Sequence, residues 1–248
     1  MDVRDANIVV HSRMAAEYNE REPHFRPENQ ARVRARLERL RAEFGGRLLD
    51  IGCGTGRFLD FVKQAWPRLA ACGLDMSEAY VRHAQRRLAG RSRMKFVVGK
   101  AEAIPAPDNS QDAVTSIFVF HELPPQVRRA ALAECARVLR PGGRLVLLDS
   151  LQRGDRPDYE GLLELFPQNY HEPFYLSYIE EDFAALARDC GLTRVRDVPA
   201  FVSKVMVFDK PSASQVEIIG ARAVHSDAGD ASKSRRRAGR RGARLKAP

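Results

Sequence analysis

The stretch "LLDIGCGTGRF", Leu48 to Phe58, constrains the fold of this chain more than any other. An apolar pair, an aspartate, three glycines at alternate positions and an amphipathic run read as a strand, a tight turn and a helix. A turn of this kind at a strand end holds a nucleotide-like ligand. Gly52, Gly54 and Gly56 make G-x-G-x-G, with Cys53 inside the turn. The dinucleotide fingerprint needs G-x-G-x-x-G, whose last glycine lets helix and strand pack closely. Asp50 stands just ahead of the turn. A carboxylate there meets a cationic group or orders water beside one, whereas a pyrophosphate gains nothing from it.

Downstream, short β-like runs alternate with helical ones. After "RLLDI" come a helix closed by Pro67, "AACGLD", a helix from the Ser77 N-cap to a Gly90 stop, "MKFVVG", "DAVTSIFVF", a helix after "PPQ", and "RLVLLDS". The alternation predicts an α/β fold, a Rossmann-like doubly wound and mostly parallel sheet with helices on both faces. "SYIE" from Ser177 reads as a capping box with Glu180, leading a helix to a Gly191 stop. "RVRDV" and "FVSKVMVF" then close the sheet as a strand pair, giving seven strands with an antiparallel closing strand.

The second strand ends in "GLDMS". Asp75 lies 19 residues after Gly56, the spacing at which a strand-end acid accepts both hydroxyls of a ribose, and Met76 can lie against an adenine. Together "LLDIGCGTG", "GLDMS", "GKAEAIPAPDNSQDAV" and "RVLRPGGRLVLLD" resemble the class I S-adenosylmethionine-dependent methyltransferases, over Arg47 to about Leu192. The overall pattern is most similar to the branch containing ubiquinone and menaquinone C-methyltransferases. The resemblance implies S-adenosyl-L-methionine as cofactor. Asp50 and the Gly52 to Gly56 backbone would hold its methionine part, Asp75 its ribose, and Ala101 and Glu102 would flank its adenine, with Phe118 at the end of strand four. Lys100 stands where the family commonly has Asp, so the usual acid contact to the adenine amino group needs another source. Tyr18, Asn19, His24 and Phe25, ahead of the amphipathic helix Glu28 to Phe44, resemble the cap that related enzymes fold over the cofactor.

Two regions can carry the chemistry. "FVFHELPP" places His121 and Glu122 at the carboxyl edge of the sheet. A neutral imidazole of ordinary pKa can take a proton from a phenol, enol or acid, or orient the acceptor. Against this stands a histidine that merely bonds a loop. From Tyr159 to Phe183 there are seven aromatics, including four of the six tyrosines. They form either a packing cluster or an aromatic substrate lid at 155–183, where Tyr170 and His171 join the catalytic candidates. His followed directly by Glu does not put both on one helical face, so no metal site is expected.

Charge settles which partners fit. The chain has a net charge of +9, and from Ala221 onward nine Lys or Arg against two Asp account for seven of it. The body is thus nearly neutral, and nucleic acid enters only through the basic tail. Four scattered cysteines without C-x-x-C spacing argue against a zinc site or a disulfide framework. No apolar run approaches the roughly 20 residues of a membrane span, and the start lacks a signal-peptide pattern. The expectation is a cytoplasmic protein of undetermined oligomeric state. It has a helical N-terminal cap at 1–45, a cofactor-binding domain at 46–210 and a disordered basic tail at 211–248. The expected function is methyl transfer from S-adenosylmethionine to a small, partly apolar or aromatic acceptor. The alternatives are an RNA or protein methyltransferase recruited by the tail, and a non-catalytic S-adenosylmethionine-binding module.

Overall fold

The computed structural model describes residues 46–212. The N-terminal cap, with Tyr18, Asn19, His24 and Phe25, and all but the first two residues of the basic tail lie outside the described residues. Seven strands form one sheet in the order β3-β2-β1-β4-β5-β7-β6. They are β1 Arg47–Ile51, β2 Ala70–Asp75, β3 Met94–Val98, β4 Gln111–Ile117, β5 Leu139–Ser150, β6 Thr193–Ala200 and β7 Ser203–Asp209. The strands β1 to β5 pair in parallel, while β7 runs antiparallel to both β5 and β6. The mostly parallel sheet with an antiparallel closing strand is the one the sequence pattern predicts.

Helices α1 Arg57–Ala65, α2 Glu78–Arg87 and α3 Pro125–Val138 make the crossovers, followed by α4 Glu160–Asn169, α5 Tyr175–Ile179 and α6 Phe183–Asp189. Successive strand residues face opposite sides, and the core divides accordingly. Leu48, Ala71 and Ala113 stand in register across β2, β1 and β4 and pack with Leu59, Val62 and Trp66 on one side. Their neighbours Leu49 and Val114 join Leu145, Leu132 and Leu186 on the other.

Local chemistry sets the boundaries. Ser77 accepts a hydrogen bond from the Tyr80 amide and caps α2 as its sequence suggests. The capping box read at Ser177 does not form, because that serine lies inside α5 and the cap of α6 is Asp182, accepting from the Ala185 amide. β4 stops at Ile117, short of the "FVF" that looked like strand, because Phe118 turns to φ 54° and leads the chain into a 3-10 turn at Phe120–Glu122. The Phe118 amide still donates to the Leu148 carbonyl.

Ser177 is taken by Arg128 instead. This arginine of α3 is completely buried. Its Nε donates to the Phe120 carbonyl at 3.0 Å, and its terminal nitrogens reach the Phe174 carbonyl, Ser177 Oγ and Glu181. The guanidinium also lies over the Tyr178 ring, 5.8 Å from its centre. One side chain thus joins the turn after β4 to the segment around α5. An Arg128→Met variant removes one donor from each of two carbonyls, a hydroxyl and a carboxylate, and leaves Glu181 without its cation. It should lose about 3 kcal/mol or more of stability in a denaturant titration, with Arg128→Lys intermediate.

Candidate active site

The strand order reverses between β1 and β4, so a crevice opens at the carboxyl ends of these two strands, where ligands of open α/β sheets bind. The turn after β1 forms one wall and the turn after β4 the other. They touch: a Cβ placed on Gly52, at φ +66°, would stand 2.3 Å from Val119 Cγ2, so only glycine admits this approach.

The first wall is tied to β2. The amides of Gly52 and Cys53 both donate to the Leu74 carbonyl, and the Gly54 amide donates to Asp75 Oδ2 at 2.8 Å. Asp75 Oδ1 accepts from the Ser77 amide at 2.8 Å. Each carboxylate oxygen keeps acceptor capacity for a second donor, which is what a vicinal diol requires. Asp50 is 2 % exposed and accepts a hydrogen bond from Thr115 Oγ1 at 2.7 Å. Burial pushes its carboxyl up to about 7, with Thr115 opposing and the Asp75 charge adding. Burial also raises Asp75, against its amide donors. Two desolvated acids beside a glycine turn make a place for a cationic ligand. Gly54, at φ +51°, has open space where a side chain would stand, leaving room for that ligand against the backbone. Met76, Ala101, Glu102 and Phe118 are partly buried around the same edge, and Lys100 is exposed.

The second wall is tied to β5. His121 is 7 % exposed, and its Nδ1 lies 2.6 Å from Asp149 Oδ1. Asp149 Oδ2 accepts from the Phe120 amide at 2.8 Å. Burial alone would lower the imidazole, but the charge and hydrogen bond of Asp149, with Glu122 and Glu172 behind, hold it at about 9. The carboxylates around it thus favour the protonated imidazole, unlike the neutral base of ordinary pKa that its sequence context suggests. Burial raises Glu122 to about 7. Of the aromatic segment, Tyr175 and Tyr178 meet the His121 ring edge-on, each 6.1 Å away between centres. Their hydroxyls bond Ser150 Oγ and the Ser150 carbonyl. Glu172 Oε1 stands 3.8 Å from His121 Nε2.

Tyr170 and His171, the candidates taken from this segment, are both exposed, Tyr170 stacking on Phe166. The residues that reach His121 are Glu172, Tyr175 and Tyr178. Sequence reasoning missed Asp149, whose signal was an acid at the end of a β-rich run, "LVLLD", matching those near the ends of β1 and β2.

These observations define an open α/β sheet with a nucleotide-type cradle facing a histidine–carboxylate pair. Residues 48–143 match the family described as "Methyltransferase domain". A malonyl-[acyl-carrier protein] O-methyltransferase of Methylococcus capsulatus is 41% identical over 99 residues, 40% of this chain and 35% of that protein. A demethylmenaquinone methyltransferase of Thermotoga maritima is 34% identical over 139 residues, 56% of this chain and 58% of that protein. The chain thus spans about a third to three fifths of the length of these two relatives. The crystal structure of an S-adenosylmethionine-dependent methyltransferase from Aquifex aeolicus superposes with a TM-score of 0.55 at 21% identity, covering 80% of this chain and 97% of that one. Residues 48–143 are thus similar to a methyltransferase domain, and the two acids and the open glycine turn have the chemistry to hold a cationic cofactor such as S-adenosylmethionine.

Asp50 gives this wall a pH signature. A cationic ligand favours its ionised form, so affinity for S-adenosylmethionine should rise from about pH 6 to about pH 8 as the carboxyl loses its proton. In Asp50→Asn, calorimetric titration should find weaker binding and most of that rise gone. The ligand-free fold responds with the opposite sign. A carboxyl whose folded pKa lies above its unfolded value contributes stability at low pH that is lost as pH rises through about 7. Asp50→Asn should therefore raise the Tm of the ligand-free protein at pH 8.

Proposed function

We propose that this protein transfers a methyl group from S-adenosylmethionine to a small, partly apolar or aromatic acceptor. The observation that carries the reading is the meeting, across one strand-order switch, of a cation-favouring glycine cradle with the His121–Asp149 pair under two tyrosine rings. S-adenosylmethionine supplies a sulfonium methyl that a nucleophilic atom displaces in line. The chain's own contribution is alignment and exclusion of water, which can supply up to roughly 7 to 11 kcal/mol when reactants are held in reacting geometry.

Asp50 and Asp75 hold the cofactor side, and the Gly52–Val119 contact fixes the spacing of the two walls. On the acceptor side Asp149 orients the imidazole, and Tyr175 and Tyr178 confine it. Phe166 packs on Tyr175 at 4.7 Å between ring centres and extends the apolar surface. Such a surface favours a small ring-bearing or lipid-like molecule. The names of the two relatives, a demethylmenaquinone methyltransferase and a malonyl-[acyl-carrier protein] O-methyltransferase, support methylation of a small acceptor group. Among the described residues no helix is long and apolar enough to cross a membrane.

The test is incubation with methyl-labelled S-adenosylmethionine and whole-cell extract, followed by counting label in small-molecule, RNA and protein fractions. Label should enter the small-molecule fraction. Asp75→Ala should weaken cofactor binding by about 10- to 100-fold, as expected for loss of a charged hydrogen-bond acceptor. His121→Ala should bind cofactor normally and lose about 100-fold in turnover, as misplacing a reactant does. Label confined to RNA or protein would favour tail-recruited methylation. Tight cofactor binding with no label anywhere would favour the non-catalytic module.

A further inference from the structure

We propose that the acceptor is a hydroxyl compound whose oxygen sits between His121 Nε2 and the Glu172 carboxylate, and that Glu172 takes its proton. This rests on the methyl-transfer reading above. His121 Nε2 and Glu172 Oε1 are 3.8 Å apart, too far for a direct hydrogen bond. A single oxygen about 2.8 Å from each closes a triangle with them. Glu172 Oε2 is buried and has no hydrogen-bond partner among the described residues. A buried carboxylate oxygen without a donor is costly, and rotation about the broad terminal torsion of glutamate lets either oxygen take the contact.

The polarity of the site selects the group. Nδ1 of His121 is committed to Asp149, so Nε2 is the nitrogen that faces Glu172. Holding its proton, the imidazole donates to an incoming oxygen and is not placed to take a proton from it. The Glu172 carboxyl is raised by burial and by Asp149, with His121 and His171 opposing, which suits it to receive one. A hydroxyl accepts from Nε2–H and donates to a carboxylate at the same time. An ammonium cannot accept. A carboxylate cannot donate, and it would enter beside Asp149, Glu122 and Glu172, all of which act on His121.

In the transfer, the hydroxyl oxygen forms the new O–CH3 bond as the S–CH3 bond breaks and its electron pair returns to sulfur. The hydroxyl proton passes to Glu172, so the sulfonium and carboxylate charges are lost together and the product is a methyl ether.

The deciding experiment uses 13C-methyl S-adenosylmethionine, the full chain and cell extract, with products characterised by NMR before and after mild alkali. An alkali-stable methyl ether is expected. With the acceptor so found, Glu172→Gln should lower kcat by about 100-fold or more while KM changes little, and Glu172→Asp should recover part of the loss. Independently of turnover, NMR titration of His121 in Glu172→Gln should give a lower pKa than in the parent, since one of the charges holding it up is gone while Asp149 and Glu122 remain. An alkali-labile methyl ester, an N- or C-methyl product, full turnover in Glu172→Gln or an unchanged His121 titration would each overturn the hydroxyl assignment while methyl transfer stands. Cofactor binding without any labelled small molecule would overturn methyl transfer itself, and the assignment with it.

Discussion

Each wall of the crevice is held by the aspartate that ends the next strand outward. The turn after β1 donates its Gly54 amide to Asp75 of β2, and the turn after β4 donates its Phe120 amide to Asp149 of β5. Asp149 is buried and Asp75 half-buried, and both hold backbone amides in place, which strengthens the bonds and fixes the turns. The same two acids do a second job. Asp75 offers remaining acceptor capacity to a ligand, and Asp149 grips the imidazole. The arrangement makes the site rigid for the reason that makes it chemically biased: buried negative charge needs donors, and the nearest donors are the turns themselves.

A third aspartate, Asp50, stands one residue before the end of β1 and has a side-chain hydroxyl as its donor, Thr115 Oγ1. Burial pushes its carboxyl toward neutrality, with the Thr115 hydrogen bond opposing. It sits next to the glycine turn, where a cationic ligand would relieve it. Free energy lost to desolvation of this carboxyl would be recovered on binding such a ligand, a common relation between stability and function.

Much of this was legible from sequence because the features are local. The glycine turn, the Ser77 cap and the β-helix alternation each depend on a few neighbouring residues, and the structure follows them. What the sequence concealed depends on contacts across the chain. His121 and Asp149 are 28 positions apart, and their pairing follows from β4 and β5 being adjacent in the sheet. Arg128 reads as one polar residue of an amphipathic helix, yet it is buried because Phe120, Phe174, Ser177 and Glu181 converge on it from two other segments. Ser177 and Glu180 satisfy a capping pattern, but the arginine provides Ser177 with a different partner. In the aromatic segment, composition could not say which rings face inward: Tyr175 and Tyr178 are buried and Tyr170 is exposed.

Arg128 also divides that segment. Residues 174–181 are tied to the buried arginine, whereas α4 ahead of them buries only Leu163 among its own side chains and leaves Leu162 and Leu165 half exposed. The tied part carries Tyr175 and Tyr178 and so belongs mechanically to the His121 turn. α4 meets the tied part through Phe166, which packs on Tyr175, and through Arg153, whose guanidinium bridges Glu160 and Glu164 to Glu180. In evolutionary terms, the outward residues of α4, Leu162 and Leu165, can drift while these contacts and the corner holding the imidazole stay as they are.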